Sequence, residues 1–346
     1  MSNYPIRFGF CLPIFAWPGA RLFRTPGFAT LDAQRCMQLG ALAEQLGYDS
    51  LWAADHLMLG HEDAILEGWT VLAAVAGMTQ KAQLGIIHYN NVFRHPAFTA
   101  KMISTLDQIS NGRMIHFVDL GNNAREYLSY GMHEDDARER RIAQMVEGLE
   151  LTLRLWAANE PLTFSGTHYF TRDAVCNPKP LQQPCPKIWL GEVHPAIVDA
   201  TVKYADAWNS VPVPMAELRK RITLLDEACT AAGRDPESLE KTLEIQILVA
   251  PTLDALREKL QTLLALAPPG DAPQPDMAAF VSGATDELPE ELRESWWAGT
   301  PEMVCDRVSE CIQLGFTHFM GWFVDAPDDS GMRLFAQEVA PHFRPH

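Results

Sequence analysis

An α/β barrel of the (β/α)8 TIM type is the fold class this sequence predicts, and three observations predict it. Short apolar runs alternate with amphipathic helical segments in eight strand–helix units. Such alternation builds a parallel sheet, and at eight units it favours closure. The apolar runs suit strands buried on both faces, as in parallel sheets. No GxGxxG follows the first run, which disfavours the alternative, an open doubly wound sheet.

In chain order, residues 7–13 read as a buried strand, and a loop bearing Phe15, Trp17 and Phe23 follows. Apolar residues at helical spacing run over 32–46, and Gly47 stands where a helix C-cap belongs. Strands at 50–54, 83–89 and 113–120 alternate with helices at 69–78, 97–109 and 135–158; the second of these helices starts after Pro96. Proline-rich residues 160–185 interrupt the rhythm as an insertion of loops or short hairpin strands after the fourth helix. It resumes with strand 187–190, helix 195–204, strand 207–211, helix 215–232, strand 242–250 and helix 253–266. The breaker run at 268–275 opens a second insertion, to about 299, before the eighth strand. Thr300-Pro301-Glu302 combines a capping hydroxyl, a first-turn proline and an acid, a strong helix start. A last strand at 316–324 and a helix at 332–339 complete one domain over 1–346.

Composition narrows the function. A net charge of −16 argues against nucleic-acid binding, which needs a dense basic face. With 47% hydrophobic and 21% charged residues the chain is globular, not disordered. No apolar run approaches the roughly 20 residues of a membrane span, and residues 1–8 lack a signal core. The expectation is a soluble, cytoplasmic protein without a membrane partner. Seven scattered cysteines form no CxxC pair and read as reduced, mostly buried thiols.

In a barrel, function sits where strands end at the C-terminal face. After strand one, Phe15 and Trp17 suit an apolar or planar-ligand pocket, or a cover over the core. After strand two, Asp55 stands beside His56; a carboxylate there can orient an imidazole that exchanges protons near neutral pH. After strand three come His88, Tyr89, Asn90, Asn91, Arg94 and His95, the most polar strand end in the chain. After strand four come Asp119, Gly121, Asn122, Asn123, Glu126 and Tyr127, whose amides can bond a heterocycle's edge. After strand five, Gly191-Glu192-Val193-His194-Pro195 turns into a helix N-terminus, a place that can hold a phosphate, although Glu192 opposes one. HExxH, GK[ST] and GxSxG motifs are missing, and the first strand reads Phe8-Gly9-Phe10-Cys11 without an HxH, so no metal site is expected.

Arg94-His95-Pro96 through Ala100-Lys101, Thr105-Leu106-Asp107, Ser110 and Gly112-Arg113 make an RHPxxxAKxxxTLDxxSxGR pattern. It resembles the signature of the bacterial-luciferase-like flavin monooxygenases, which share a (β/α)8 barrel with deazaflavin-dependent oxidoreductases. Gly47-Tyr48-Asp49, Phe164-Ser165-Gly166, Pro178-Lys179-Pro180, Tyr204-Ala205-Asp206 and Leu314-Gly315-Phe316 extend the match over nearly the whole chain. The resemblance implies a two-component monooxygenase that uses reduced FMN and O2 to insert one oxygen atom into a small organic substrate. A separate NAD(P)H:flavin reductase would supply the cofactor to a homodimer joined through helices near strands two and three. Two alternatives share the scaffold: a hydride-transfer oxidoreductase using the deazaflavin (coenzyme F-420), and a catalytically degenerate flavin-binding protein.

The same resemblance assigns roles. His56 would act on the proton near the reactive locus, held by Asp55, with His88 as second candidate. Asn90, Asp119, Gly121 and Asn122 would approach the ring, and Glu126, Tyr127 and Arg141 its ribityl or phosphate end. The loop Gly191, Val193 and His194 would donate backbone N–H groups. Phe15, Trp17, Trp296 and Trp297 would line an apolar substrate pocket, with both insertions as lids. Lys101, Asp107 and Arg113 would brace a helix. Two features depart from the family: Gly191-Glu192-Val193 lacks a hydroxyl for a phosphate, and strand four carries His116-Phe117 where some relatives have Asn.

Overall fold

The computed structural model describes residues 4–17, 26–121, 123–132, 137–267, 270 and 272–344. Eight parallel strands close a barrel: β1 Arg7–Cys11, β2 Ser50–Ala53, β3 Gln83–Ile86, β4 Met114–Asp119, β5 Lys187–Gly191, β6 Ala207–Ser210, β7 Glu240–Val249 and β8 Phe316–Phe323. Each pairs with its successor, and β8 returns to β1 from Arg7↔His318 to Phe10↔Gly321. Around it lie α1 Ala33–Gln45, α2 Gly68–Met78, α3 Pro96–Ser110, α4 Arg138–Ala157, α5 Pro195–Tyr204, α6 Met215–Ala231, α7 Leu253–Leu264 and α8 Pro301–Gln313. The (β/α)8 expectation is met.

Strand alternation sends every second side chain into the bore. Trp52, Trp189 and His318 fill its middle, with Trp189 centred 5.0 Å from each of the other two. Ser50 Oγ lies 2.8 Å from Trp52 Nε1, which donates to it, and 2.7 Å from His318 Nε2. Glycine makes room for the indole: a Cβ on Gly85 would lie 2.1 Å from Trp52 Cζ3. Side chains of the other face, Phe8, Phe10, Phe319 and Phe323, pack with Tyr48 and Phe335 under the helices. The bore is therefore a packed core whose free end is the C-terminal mouth.

The family-pattern residues beneath α3 are structural. Arg113 donates to the carbonyls of Ala76, Thr79, Ala82 and Ser110. Asp107 accepts from the Met114 and Gln182 N–H groups, and Lys101 Nζ donates to the Asn177 carbonyl.

Two expectations need correction. The third strand stops at Ile86, and Tyr89–Asn90 forms a separate short strand against Val118 and Asp119. Of the segment expected as helix 135–158, the described part is helical over Arg138–Ala157 with Ala137 as its N-cap, and residues 133–136 lie outside the described ones. The first insertion, expected as a lid, packs on the helices and also reaches the loop after β3, where Asn91 Nδ2 donates to Tyr169 Oη at 3.0 Å. Its hairpin, Leu162–Ser165 with Phe170–Ala174, lies along α3 and α4. Glu147 accepts from the Thr167, His168 and Tyr169 N–H groups, and Lys179 Nζ donates to the Leu155 carbonyl at 2.6 Å.

The second insertion builds wall. β6 pairs only with the lower half of β7, residues 240–243, leaving the upper half of that edge free. The strand Trp296–Gly299 takes the place, pairing Gln246↔Trp296 to Val249↔Gly299. Trp296 is consequently buried with Leu248, Leu256 and Phe280, and Trp297 packs on Phe319 at 4.9 Å, under the helices. Both tryptophans, expected to line a substrate pocket, are buried in this wall.

Candidate functional site at the barrel mouth

The Asp55-His56 pair at the end of β2 divides its labour. Asp55 is buried and does not hold His56: Arg94 Nη1 donates to both its oxygens at 3.0 and 2.8 Å, and the Asn90 N–H donates at 2.8 Å. Burial raises the Asp55 carboxyl above its usual range, an effect that Arg94 opposes. Arg94 continues to Glu67 at 3.0 Å, so Asp55 knits β2 to the loops after β2 and β3.

The partner of His56 is Glu126. Glu126 is fully buried at the start of the short helix Ala124–Ser129 and lies 2.8 Å from His56 Nδ1. Its oxygens also accept from the Leu57 N–H at 3.0 Å and the Asn123 amide at 2.5 Å. A carboxylate surrounded by donors acts as an acceptor, so Nδ1 carries the hydrogen and Nε2 is left to give or take a proton. His56 keeps 21% of its side chain exposed, enough to meet a ligand. The family resemblance assigns Glu126 to the cofactor's tail; the structure puts it under the imidazole.

His88, past the end of β3, contacts Asp119 Oδ2 at 3.3 Å and Glu244 Oε2 at 3.2 Å. Burial disfavours its charge, but hydrogen bonds to Asp119 and Glu244 and their charges prevail, and the imidazole is pushed up to about 10. A raised value favours the imidazolium over an imidazole that changes charge near neutral pH. Asn90 and Gly121 meet closely: a Cβ at Gly121, whose φ is +75°, would fall 2.2 Å from Asn90 Oδ1. Asn90 is buried and its Nδ2 has no hydrogen-bond partner among the described residues. Arg141 donates to the Gly121 carbonyl and lies over the Tyr127 ring at 5.5 Å. Tyr127 is buried, and Asn122 lies outside the described residues.

After β5, Gly191 ends the strand, Glu192 takes a φ of +76°, and Val193 packs on the core. His194 precedes Pro195 at the α5 N-terminus and contacts Glu139 at 3.4 Å, while Glu192 contacts Arg138 at 3.4 Å. Phe15 is buried edge-on against Trp322 at 5.6 Å. Trp17 is 38% exposed, and Phe23 lies outside the described residues. Glu244, Gln246 and Trp322 escape the sequence reading, although Thr242, Glu244 and Gln246 alternate with apolar residues, the signal of polar side chains facing a bore.

These residues fit the ring of a flavin or deazaflavin better than its anionic tail. The unpartnered Asn90 amide beside side-chain-free Gly121 offers a donor where a flat heterocycle could approach. At the α5 terminus Arg138 and His194 each already face a carboxylate. Among the described residues no group of three or more His, Cys, Asp or Glu is arranged to hold a metal ion, and no helix is long and apolar enough to cross a membrane.

A family model described as luciferase-like monooxygenase matches residues 6–318. The chain is 26% identical over 319 residues to an F420-dependent glucose-6-phosphate dehydrogenase of Microbacterium testaceum (strain StLB037), covering 89% of this chain and 93% of that one. It is 27% identical over 329 residues to the phthiodiolone/phenolphthiodiolone dimycocerosates ketoreductase of Mycobacterium tuberculosis (strain ATCC 25618 / H37Rv), covering 81% and 84%. Among solved structures, a long-chain alkane monooxygenase superposes with a TM-score of 0.77 at 16% identity, covering 98% and 91%. An F420-dependent secondary alcohol dehydrogenase superposes with 0.75 at 21% identity, covering 99% and 100%. At these identities the structural likeness speaks for the fold.

Proposed function

The chain belongs to the luciferase-like monooxygenase family, whose members are oxidoreductases that use FMN or F420, and we propose that it transfers hydride between a deazaflavin and the carbinol carbon of a small organic substrate. The observation that carries this reading is the His56–Glu126 pair at the mouth. When hydride leaves or reaches a carbinol carbon, a proton must leave or reach its oxygen, and an imidazole with one nitrogen fixed serves that transfer. The bound cofactor supplies the hydride donor or acceptor. His56 Nε2 exchanges the proton with the substrate oxygen; Glu126 fixes the tautomer; Asn90 and Gly121 face the ring; Asp55 and Arg94 hold the loops. Curated relatives of matching length bear the names of an F420-dependent dehydrogenase and a ketoreductase, which supports placing this reading ahead of oxygen insertion.

A second reading is favoured by the buried Phe15–Trp322 contact at the mouth. An apolar, water-excluding wall suits oxygen insertion with reduced FMN, O2 and a separate flavin reductase. With either reading goes a homodimer, supported by Met78 at the end of α2 and by Phe98 and Ile109 on α3, which are 47%, 59% and 58% exposed; sedimentation velocity reads it.

Anaerobic titration with reduced FMN and, separately, reduced deazaflavin tests the cofactor. Saturable binding of deazaflavin, with oxidised deazaflavin reduced by an alcohol in the absence of O2, is expected. Turnover that requires O2 and places its labelled atom in the product would transfer the assignment to the second reading. Binding of neither cofactor would defeat both.

A further inference from the structure

Alternate strands contribute the side-chain layers of a (β/α)8 bore, and bulky apolar residues usually fill them. At the N-terminal end of this barrel, opposite the mouth, the layer is polar instead. Arg7, Gln83, Lys187 and Glu240 are the first residues of β1, β3, β5 and β7. Together with Tyr4, Asp206 and Trp189 they line a cavity of about 200 Å³. Trp189, packed on Trp52 and His318, forms its inner wall.

The acceptors of this vestibule are engaged, and donors remain. Arg7 Nη2 donates to both oxygens of Glu240 at 2.6 Å, and Thr317 Oγ1 adds a bond to Glu240 Oε1 at 3.0 Å. Asp206 accepts from Lys187 Nζ and from the Ile188 N–H, each at 2.9 Å. Gln83 Oε1 accepts from Arg7 Nη1 at 3.3 Å. Arg7 Nε, by contrast, is buried without a hydrogen-bond partner among the described residues. The Lys187 ammonium carries three hydrogens, one of them given to Asp206.

Charge points the same way. The Arg234 guanidinium and Tyr4 Oη both donate to the Ser238 carbonyl, at 3.3 and 2.8 Å, which puts a third cation at the rim. Its other bonds go to Ser238 Oγ and to the Thr201, Val202 and Ala205 carbonyls, so among the described residues no carboxylate pairs with it. Arg7, Lys187 and Arg234 thus stand against the two acids Glu240 and Asp206.

We propose that this vestibule binds a small monocarboxylate, held by Arg7 Nε and Lys187 Nζ. A carboxylate only accepts, which suits a wall whose remaining groups are donors, and charge-assisted bonds of this kind are the stronger ones. Its single negative charge offsets the third cation. At roughly 30 Å³ for each water-sized group, the cavity takes a ligand of about six heavy atoms. The site lies at the end of the bore away from His56, and the inference stands apart from the proposed function.

Calorimetric titration of the whole protein at constant ionic strength tests it, comparing propanoate with propanamide, its neutral isostere. Propanoate should bind about tenfold or more tighter than propanamide, and its addition should raise Tm. Lys187→Met changes a side chain that is 58% exposed, so the variant should fold as the parent does and lose most of the preference for the acid. Arg7→Lys keeps a cation opposite Glu240 but has no Nε–H, and should lose that preference as well. Should Arg7→Lys fail to fold, Lys187→Met decides. Absent binding of propanoate, equal affinity for acid and amide, or an undiminished preference in Lys187→Met would each overturn the proposal.

Discussion

One imidazole with one buried acid carries the chemistry proposed here, and the acid is not the one that adjacency suggests. Asp55 precedes His56, yet its oxygens are taken by Arg94 and the Asn90 N–H, while Glu126, seventy positions on, binds Nδ1. Glu126→Gln keeps the shape but replaces an acceptor-only group with an amide that can also donate. We expect kcat to fall about 10- to 100-fold, with the deazaflavin dissociation constant within about twofold of the parent. An unchanged kcat would show that Glu126 serves only to hold the loop. The sequence makes His56 legible because it lies at a strand end in a barrel. Its partner is legible only as an acid on another βα loop, since which loops meet over the mouth is decided by tertiary packing.

At the scale of elements, most strands and helices can be read from periodicity and caps, because each is set by local pattern. Pro96 starts α3, and Pro195 starts α5, where the pattern places them. The insertions cannot be placed that way, since breaker-rich segments read alike whether they cover a mouth or lie along a flank. Their positions depend on long-range contacts such as Glu147 with the 167–169 backbone. Bore glycines are similarly opaque: Gly85 reads as a weak strand residue, whereas it is the space into which the Trp52 ring fits. Gly85→Ala should therefore destabilise the barrel by about 1–3 kcal/mol or more through overpacking. Gly77, exposed in α2 with no atom within 4 Å of where a Cβ would stand, supplies the contrast; Gly77→Ala should be neutral or stabilising by roughly 0.5–1 kcal/mol. Urea unfolding of the two variants reads both, and a Gly85→Ala protein as stable as the parent would refute the packing account.

For the molecule as a whole, the barrel handles its buried histidines in two opposite ways, and stability should fall on both sides of neutrality as a result. Burial lowers His116, on the outer face of β4, to about 3, and holds His318 in the bore well below its usual value, with Arg7 adding to the effect. Each stays neutral in the folded chain but takes up a proton in the unfolded one below an ordinary pKa of about 6.5. Their contribution is complete above that pH and declines as acid is added. His88 has the reverse sign: its folded value is raised to about 10. Its contribution is complete below about 6.5 and is lost as pH rises toward 10, because the folded state then retains a proton that the unfolded state has released. Urea midpoints taken from about pH 4.5 to 10 should trace a dome with its maximum near roughly pH 6.5–7. His116→Leu should flatten the acid limb and leave the alkaline one, while His88→Asn should do the opposite. If His88→Asn kept the alkaline decline of the parent, the imidazolium bridge between β3 and β7 would not be the charged clasp that the geometry describes, and the net charge of −16 would be the better source of that decline.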